Sequence, residues 1–437
     1  MAISFLTPVL LLSVLALLIL GVPLAFSTGA AASGLVLFNF GVDGLALIAT
    51  RIYGLMSSYS FVAIPMFVMM ATTLERSGVT KDLFRVMYLL AGKIKGGLAI
   101  QTLFVSIILA SMSGIIGGEI VLLGVLALPE MLKRGYDKKL AIGTVCAGGA
   151  LGTMIPPSVV LIVYGLATET NIGDLFIAVL VPGLMLASFY MLYVLYVAFR
   201  YPEKAPVASM EELQISKQEK RRLLKGTLLP IFVAFWVLFC IYSGIASINE
   251  AAAMGVIGAL LSTYIRNELT FDLVKQTCVQ TMKVCGMIMW IVFGATALIG
   301  VFNMFGGSTF VSNYIQQLDV SPLSILLFMM LILFVLGVFM DWIGICLLTM
   351  PIFVPIISGL GYDPVWFGVL FTLNMQLSYL TPPFGPAAFY LKGVVSKDIT
   401  MTMIYSSFVP FIAIQMVAIA LLIAFPSLAT WLPEMLR

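Results

Sequence analysis

The sequence predicts an all-α polytopic membrane protein made of two inverted-topology repeats, with re-entrant hairpins and discontinuous helices. Three observations carry this prediction: an apolar composition, a repeat at a fixed offset, and paired prolines inside apolar runs. Of the 437 residues, 61% are hydrophobic and 10% are charged, whereas soluble domains carry about 25% charged residues. A chain this long and this apolar needs the lipid bilayer as its solvent. Its net charge of +3 is too small to indicate a nucleic-acid partner.

Apolar runs of about 20 residues, the length that crosses the hydrocarbon core of a bilayer, predict the simple spans. These are expected at 3–27, 32–49, 59–75, 174–199, 227–246, 250–266, 284–303 and 403–431. Two short amphipathic segments, 79–95 and 307–320, are predicted to be surface arms, the alternative being plain connecting loops. The first run has no basic segment before it and no small-residue cleavage site, so we expect a retained span.

A polar linker divides the chain into two halves. Seven Lys and Arg residues fall within 200–226, and short loops rich in these residues lie on the cytoplasmic side of a membrane. We therefore predict a first repeat over 1–199, a cytoplasmic linker over 200–226 and a second repeat over 227–437. The first repeat is predicted to hold a cytoplasm-based hairpin near 96–133 and a broken helix near 139–166; the second, a periplasm-based hairpin near 323–360, a broken helix near 366–392 and the last span.

The two halves match without a gap at an offset of 226 residues, which carries Gly118 onto Gly344. Gly135-Tyr136-Asp137 recurs as Gly361-Tyr362-Asp363, and Pro156-Pro157 recurs as Pro382-Pro383. The first of the equivalent loops is rich in Lys and Arg, whereas 358–364 has neither. A repeat whose loops differ in this way is inverted across the membrane, an architecture typical of secondary transporters.

Each Pro-Pro pair breaks an apolar run, because proline removes a helix hydrogen bond and frees a carbonyl group. In lipid these groups must be satisfied inside the protein or by a bound ligand. Carbonyl and hydroxyl oxygens suit an alkali cation, and the ends of broken helices that point inward favour an anion. The alternative is a pair of proline kinks in ordinary spans. We predict two sodium sites, one in each half, and an organic anion between the hairpin tips.

The candidate ligands lie at the tips and breaks. The predicted sodium ligands are Ser111, Ser113, Gly114, Gly152, Thr153 and Pro156 in the first half, and Gly337, Asp341, Thr381 and Pro382 in the second. The predicted substrate contacts are Ser113, Gly114, Pro157, Ser158, Asp341, Pro383, Phe384 and Lys392.

Some charged candidates have alternative interpretations. Asp341 could hydrogen-bond its hairpin, and Lys392 could extend to the interface. Glu119 is a weaker functional candidate, since no acidic residue stands at its repeat position. The chain has no histidine to serve a proton relay and no phosphate loop for ATP, so no ATP cofactor is expected.

Two segments carry a resemblance to a known family. Gly152-Thr-Met-Ile-Pro-Pro-Ser158 and Thr381-Pro-Pro-Phe-Gly-Pro-Ala-Ala-Phe-Tyr-Leu-Lys-Gly-Val394 resemble the large, DctM-like permease subunit of tripartite ATP-independent periplasmic (TRAP) transporters. Gly244–Gly255 is similar to another segment of that family, but Ser247-Ile248-Asn249 stands where the family usually has Thr-Pro-Thr.

This resemblance implies an elevator fold of the ion-transporter superfamily in a bacterial inner membrane. It also implies Na⁺ coupling with two or more ions, a small four-helix membrane subunit and a periplasmic substrate-binding protein as partners. The implied cargo is an organic acid anion such as a C4-dicarboxylate, sialic acid, keto acid or sulfonate. Alternatives are a stand-alone sodium/carboxylate symporter of related fold, a passive channel, and the membrane subunit of a redox enzyme. The last would need buried histidines, cysteine pairs or carboxylate clusters, none of which the sequence indicates.

Overall fold

The computed structural model describes residues 3–91, 94–114, 117–207, 217–307, 309–310 and 320–436. These residues form α-helices and short 3₁₀ turns. The helices are α1 (Ile3–Ile19), α2 (Leu24–Phe40), α3 (Leu45–Met56), α4 (Ala63–Arg76), α5 (Val79–Ala91), α6 (Gly97–Ser113), α7 (Gly118–Lys133), α8 (Lys138–Ala150), α9 (Val159–Thr168), α10 (Ile172–Arg200), α11 (Lys217–Tyr242), α12 (Ile248–Ile265), α13 (Phe271–Met304), α14 (Pro322–Phe339), α15 (Trp342–Gly359), α16 (Pro364–Leu380), α17 (Pro386–Lys392), α18 (Met401–Ala424) and α19 (Ser427–Leu436).

The helices recur at the offset found in the sequence. The hairpin α6–α7 corresponds to α14–α15, the broken pair α8–α9 to α16–α17, and α10 to α18. The chain is therefore a polytopic all-α fold of two repeats, each with a hairpin and a discontinuous helix. The boundary between the repeats stays a prediction, because 208–216 lie outside the described residues.

The recurring Gly-Tyr-Asp triplet builds the same turn in both halves. Gly135 and Gly361 end α7 and α15 at φ +80° and +85°, a conformation that glycine adopts without strain. The tyrosine amide then bonds the carbonyl five residues back, a helix-ending pattern. Asp137 and Asp363 cap the next helix through the backbone amides of Leu140 (3.0 Å) and Val365 (2.6 Å).

The helices pack as two groups. Helix α13 packs along α2 and α4, and α12 packs against α4 and α11; we call this group the scaffold. The hairpins and broken helices form the other group, in which α9 packs on α15 and α8 on α18. Each of these two contacts joins one half of the chain to the other. We call this second group, α6–α10 with α14–α19, the hairpin body.

Six helices of the described residues are long and apolar enough to cross a membrane: α10, α12, α13, α14, α15 and α18. The predicted bounds of the first two spans were wrong. The turn lies at 20–23, and 28–31 is inside α2. Small residues let α2 approach α13 closely there: a side chain on Gly294 would collide with the Ala25 carbonyl.

Other bounds also differ from the prediction. Helix α13 begins at Phe271, well before the predicted 284, and the last span ends at Ala424, before Pro426. Helix α11 begins at Lys217, within the predicted linker 200–226. Segment 79–95 contains helix α5, as expected of an arm, but most of segment 307–320 lies outside the described residues.

Candidate ion and substrate site

The first Pro-Pro break is buried along its whole length. Residues 151–160 have no exposed or half-exposed member. Pro157 has no N–H, so it cannot donate to the Thr153 carbonyl that a continuous helix would pair with it. The Ser158 hydroxyl donates to that carbonyl instead, at 2.7 Å. A carbonyl oxygen has a second lone pair, so the Thr153 oxygen keeps a capacity to bind a cation.

The first hairpin tip lies directly on this break. Gly114 ends α6 at φ +61°, and any side chain there would collide with the Pro157 carbonyl oxygen. The Gly114 carbonyl accepts a hydrogen bond from the Val159 amide at 3.2 Å, while the Ser111 hydroxyl donates to the Ile108 carbonyl at 2.7 Å. The structure thus brings predicted residues of the tip and the break together; the side chain of Ser113 is outside the described residues.

The second Pro-Pro break is open. Pro382, Pro383 and Phe384 are exposed, and Thr381 is half-buried. The Thr381 hydroxyl donates to the Leu377 carbonyl at 2.7 Å. The Tyr405 hydroxyl donates to the Pro383 carbonyl at 2.8 Å, which ties the break to α18.

The second tip follows α14. Gly337 packs on α16, where a side chain would collide with the Ser378 hydroxyl. Asp341 caps α15 by accepting a hydrogen bond from the Ile343 amide at 3.1 Å, and it is exposed at the tip. Its carboxylate interacts electrostatically with the hydroxyls of Tyr379 and Tyr390. Asp341 thus makes the hydrogen bond within its hairpin that the structural alternative expected. It is also exposed, as a residue that binds an ion must be.

Sequence reasoning missed Gln376, which joins the two breaks. Its side-chain Nε2 donates to the Ala150 carbonyl at 2.7 Å and to the Thr153 hydroxyl at 3.2 Å. Ala150 is the residue that the offset of 226 pairs with Gln376. The Gln376 carbonyl accepts from the side-chain Nε2 of Gln415 at 3.3 Å. An amide in an apolar run, with an apolar repeat counterpart, was the signal that could have found it.

Two charged candidates are placed differently from the tips and breaks. The Lys392 ammonium donates to the Ile399 carbonyl at 2.6 Å, so it fastens the loop after α17, and the predicted substrate contact gains no support from this placement. Glu119 is buried, with its carboxylate against Gly152 of the first break. Glu119 therefore lies against the first break as well as beside the first tip.

A cavity of about 1100 Å³ opens elsewhere, between the scaffold and the hairpin body. Its lining includes Arg51 and Asn303 on the scaffold side, and Glu169 and Asp363 on the other. None of its lining residues belongs to a Pro-Pro break. We place the candidate site at the breaks, because the interrupted backbone and its oxygen groups lie there.

The donor set at the breaks suits sodium. It consists of backbone carbonyls and the hydroxyls of serine and threonine, which are hard oxygen ligands of the kind that alkali cations prefer. No group of three or more His, Cys, Asp or Glu side chains that could hold a transition metal occurs in the described part of the chain.

Comparison with known proteins supports one family. The family model described as "Tripartite ATP-independent periplasmic transporter, DctM component" matches residues 11–428. The C4-dicarboxylate TRAP transporter large permease protein DctM of Pseudomonas aeruginosa is 30% identical over 403 residues, 92% of each chain. The ectoine TRAP transporter large permease protein TeaC of Halomonas elongata is 30% identical over 441 residues, 98% of this chain and 99% of that one.

A third relative and a solved structure agree with these matches. The sialic acid TRAP transporter large permease protein SiaM of Vibrio cholerae is 29% identical over 423 residues, 96% of this chain and 97% of that one. The fold is similar to that of the Alcanivorax borkumensis YdaH transporter, with a TM-score of 0.66 and 12% identity over 90% of this chain and 91% of that one. At this identity the likeness bears on the fold alone.

Proposed function

The chain belongs to the DctM-component family of TRAP transporters, and we propose that it imports a small organic acid anion together with sodium ions. The observation that carries this proposal is the pair of Pro-Pro breaks at one offset, which offer hydroxyl and carbonyl oxygens and have a hairpin tip packed on or near each. Cations bound at the breaks would offset the charge of an anion held between the tips.

We further propose an elevator mechanism. The hairpin body carries both breaks, and it meets the scaffold mainly through α13 with α15 and through α4 with α6. Both broken helices belong to one cross-packed group, so the candidate ion and substrate sites would move together as a unit. The scaffold would stay fixed while the hairpin body carries cargo across the membrane.

The proposed partners follow from the family. They are a small four-helix membrane subunit and a periplasmic binding protein that delivers the substrate. The proposed location is the bacterial inner membrane, with the linker after α10 on the cytoplasmic side. The relatives are named for cargoes that range from C4-dicarboxylate to sialic acid and ectoine, so the family alone does not choose among organic solutes.

The test is uptake into proteoliposomes that contain the permease and its small subunit, supplied with a binding protein and a labelled organic acid. We expect uptake under an inward sodium gradient and its loss when potassium replaces sodium. Thr381→Ala and Asp341→Ala should raise the sodium concentration at half-maximal uptake, whereas Ser188→Ala, an exposed position on α10, should not. Equal uptake in potassium would overturn sodium coupling, and uptake by the permease alone would favour the stand-alone symporter.

A further inference from the structure

Three large aromatic side chains lie at or just after the second Pro-Pro break and are exposed. Phe384 is 43% exposed, Phe389 51% and Tyr390 40%. The rings of Phe384 and Phe389 lie 5.8 Å apart in a tilted arrangement. Lone exposed aromatic residues are ordinary in a membrane protein, but these three occur within seven consecutive residues at the candidate site.

The cluster lies between the two hairpin tips. A side chain built on Gly117, at the first tip, would come within 2.9 Å of the Tyr390 ring. Asp341, at the second tip, lies close enough for its charge to act on Tyr390. Tyr390 therefore faces the space in which an anion held by both tips would lie.

The repeat provides an internal comparison. The offset pairs Tyr390 with Tyr164, whose ring is buried against Phe371. The Tyr164 hydroxyl donates to the Pro364 carbonyl at 2.7 Å. The fold can therefore bury a tyrosine at this position of the repeat, and the exposure of Tyr390 is particular to the second break.

The aromatic cluster is held in place. The Tyr405 hydroxyl donates to the Pro383 carbonyl and, at 3.4 Å, to the Phe384 carbonyl. The charged residue of α17, Lys392, is bonded to the Ile399 carbonyl. The wall that α17 presents beside the tips is therefore apolar, apart from the Tyr390 hydroxyl.

We propose that Phe384, Phe389 and Tyr390 form an aromatic wall of the substrate site, which selects an organic acid anion with an apolar body over a compact dicarboxylate. The carboxylate would lie at the tips, beside the N-termini of α7 and α15, where a helix dipole favours an anion, and the carbon body would pack on the rings. A second carboxylate would have to shed its water against the rings without a partner, which is costly. This inference rests on the proposed function and narrows its substrate class.

The test measures thermal unfolding of the detergent-purified permease, with sodium benzoate, sodium phenylacetate or sodium succinate, against the potassium salts. We expect the two aromatic acids to raise the unfolding temperature in sodium and succinate to have no effect. Phe384→Ala and Tyr390→Ala should raise the half-saturating benzoate concentration several-fold. Phe199→Ala, which removes another well-exposed ring on α10, is the matched control and should leave it unchanged. Tyr390→Phe, which keeps the ring, should have nearly the same half-saturating benzoate concentration as the parent protein.

Stabilisation by succinate equal to that by benzoate would overturn the inference, as would the absence of any shift with either aromatic acid. Unchanged benzoate binding in Phe384→Ala and Tyr390→Ala would mean that the rings face lipid or the scaffold. The proposed function is judged separately: sodium-driven uptake of a compact dicarboxylate would sustain it while the inference fails. Benzoate binding that is equal in potassium would sustain the inference while sodium coupling fails.

Discussion

The two Pro-Pro breaks share a sequence pattern but differ in their surroundings. At the first, every residue from 151 to 160 is buried, and the hairpin tip closes on it through Gly114. At the second, Pro382 to Phe384 are exposed. There Gly337 of the hairpin contacts Ser378, which lies about one helical turn before the prolines. A duplicated element thus has two environments: the first break is part of the interior, while the second is exposed.

The largest expected effect separates the two tips. Gly114→Ala adds a side chain at positive φ, a strain of roughly 1–2 kcal/mol, and drives it into the Pro157 carbonyl, which no side-chain change can relieve. We expect sodium-driven uptake to be lost and the unfolding temperature to fall. Gly337→Ala meets the Ser378 side chain instead, so Ser378→Gly in the same chain should restore much of the activity. Tolerance of Gly114→Ala would contradict the closed first break.

The link between the breaks is the next test. Gln376→Leu removes two buried hydrogen bonds, to the Ala150 carbonyl and the Thr153 hydroxyl, so the free energy of unfolding should fall by about 1–3 kcal/mol. Ser188→Ala, which removes one hydroxyl bond at an exposed position, should change it little. Denaturant unfolding in detergent measures both. An unchanged free energy of unfolding in Gln376→Leu would mean that the two breaks are not coupled through this amide.

Two tyrosines offer a finer comparison of the breaks. Tyr164→Phe removes a buried hydrogen bond beyond the first break and should cost about 1 kcal/mol of stability with no change in sodium dependence. Tyr405→Phe releases the Pro383 carbonyl at the second break, so it should change the half-saturating sodium concentration while altering stability less. Uptake against sodium concentration, with thermal unfolding alongside, distinguishes these outcomes. The opposite pattern would place the ion-sensitive break in the first half.

The smallest effect concerns the arm helix α5. Arg266 pairs with Asp82 on α5 at 2.8 Å and with Glu268 at 2.9 Å, and its hydrogen bond lowers the pKa of Glu268. A carboxylate with a lowered pKa stabilises the fold above its unfolded pKa of about 4.3 and loses that contribution as pH falls through the folded value. We therefore expect stability to fall as the pH drops below about 4.3, with a shallower fall in Glu268→Gln. Parallel pH profiles of unfolding temperature for the two proteins would contradict this.

Much of the architecture could be predicted because it depends on sequence spacing. The offset of 226 residues located both hairpins and both broken helices, and the Gly-Tyr-Asp triplet encodes a helix end and a helix cap in each half. The turn between α1 and α2 could not be placed, since hydropathy does not distinguish a short turn in an apolar run from the small residues of a helix interface. Helix packing decides that difference.

The candidate site was predicted by segment better than by residue. The tips and breaks follow from proline chemistry, which is local. Gln376 acts across the interface of the two halves, and Lys392 finds a carbonyl seven residues onward, contacts that depend on tertiary packing. The contrast between a buried and an exposed break also depends on tertiary packing, which the shared Pro-Pro pattern does not encode.

Sodium-dependent thiol labelling tests the central claim most directly. Phe384→Cys and Ser158→Cys are compared in membrane vesicles, in a background whose half-buried Cys278 and Cys285 are replaced by serine. We predict that a membrane-impermeant maleimide labels Phe384→Cys, that sodium but not potassium slows this labelling, and that Ser158→Cys stays unlabelled in both. Equal labelling at the two positions, or labelling of Phe384→Cys that ignores sodium, would contradict the account.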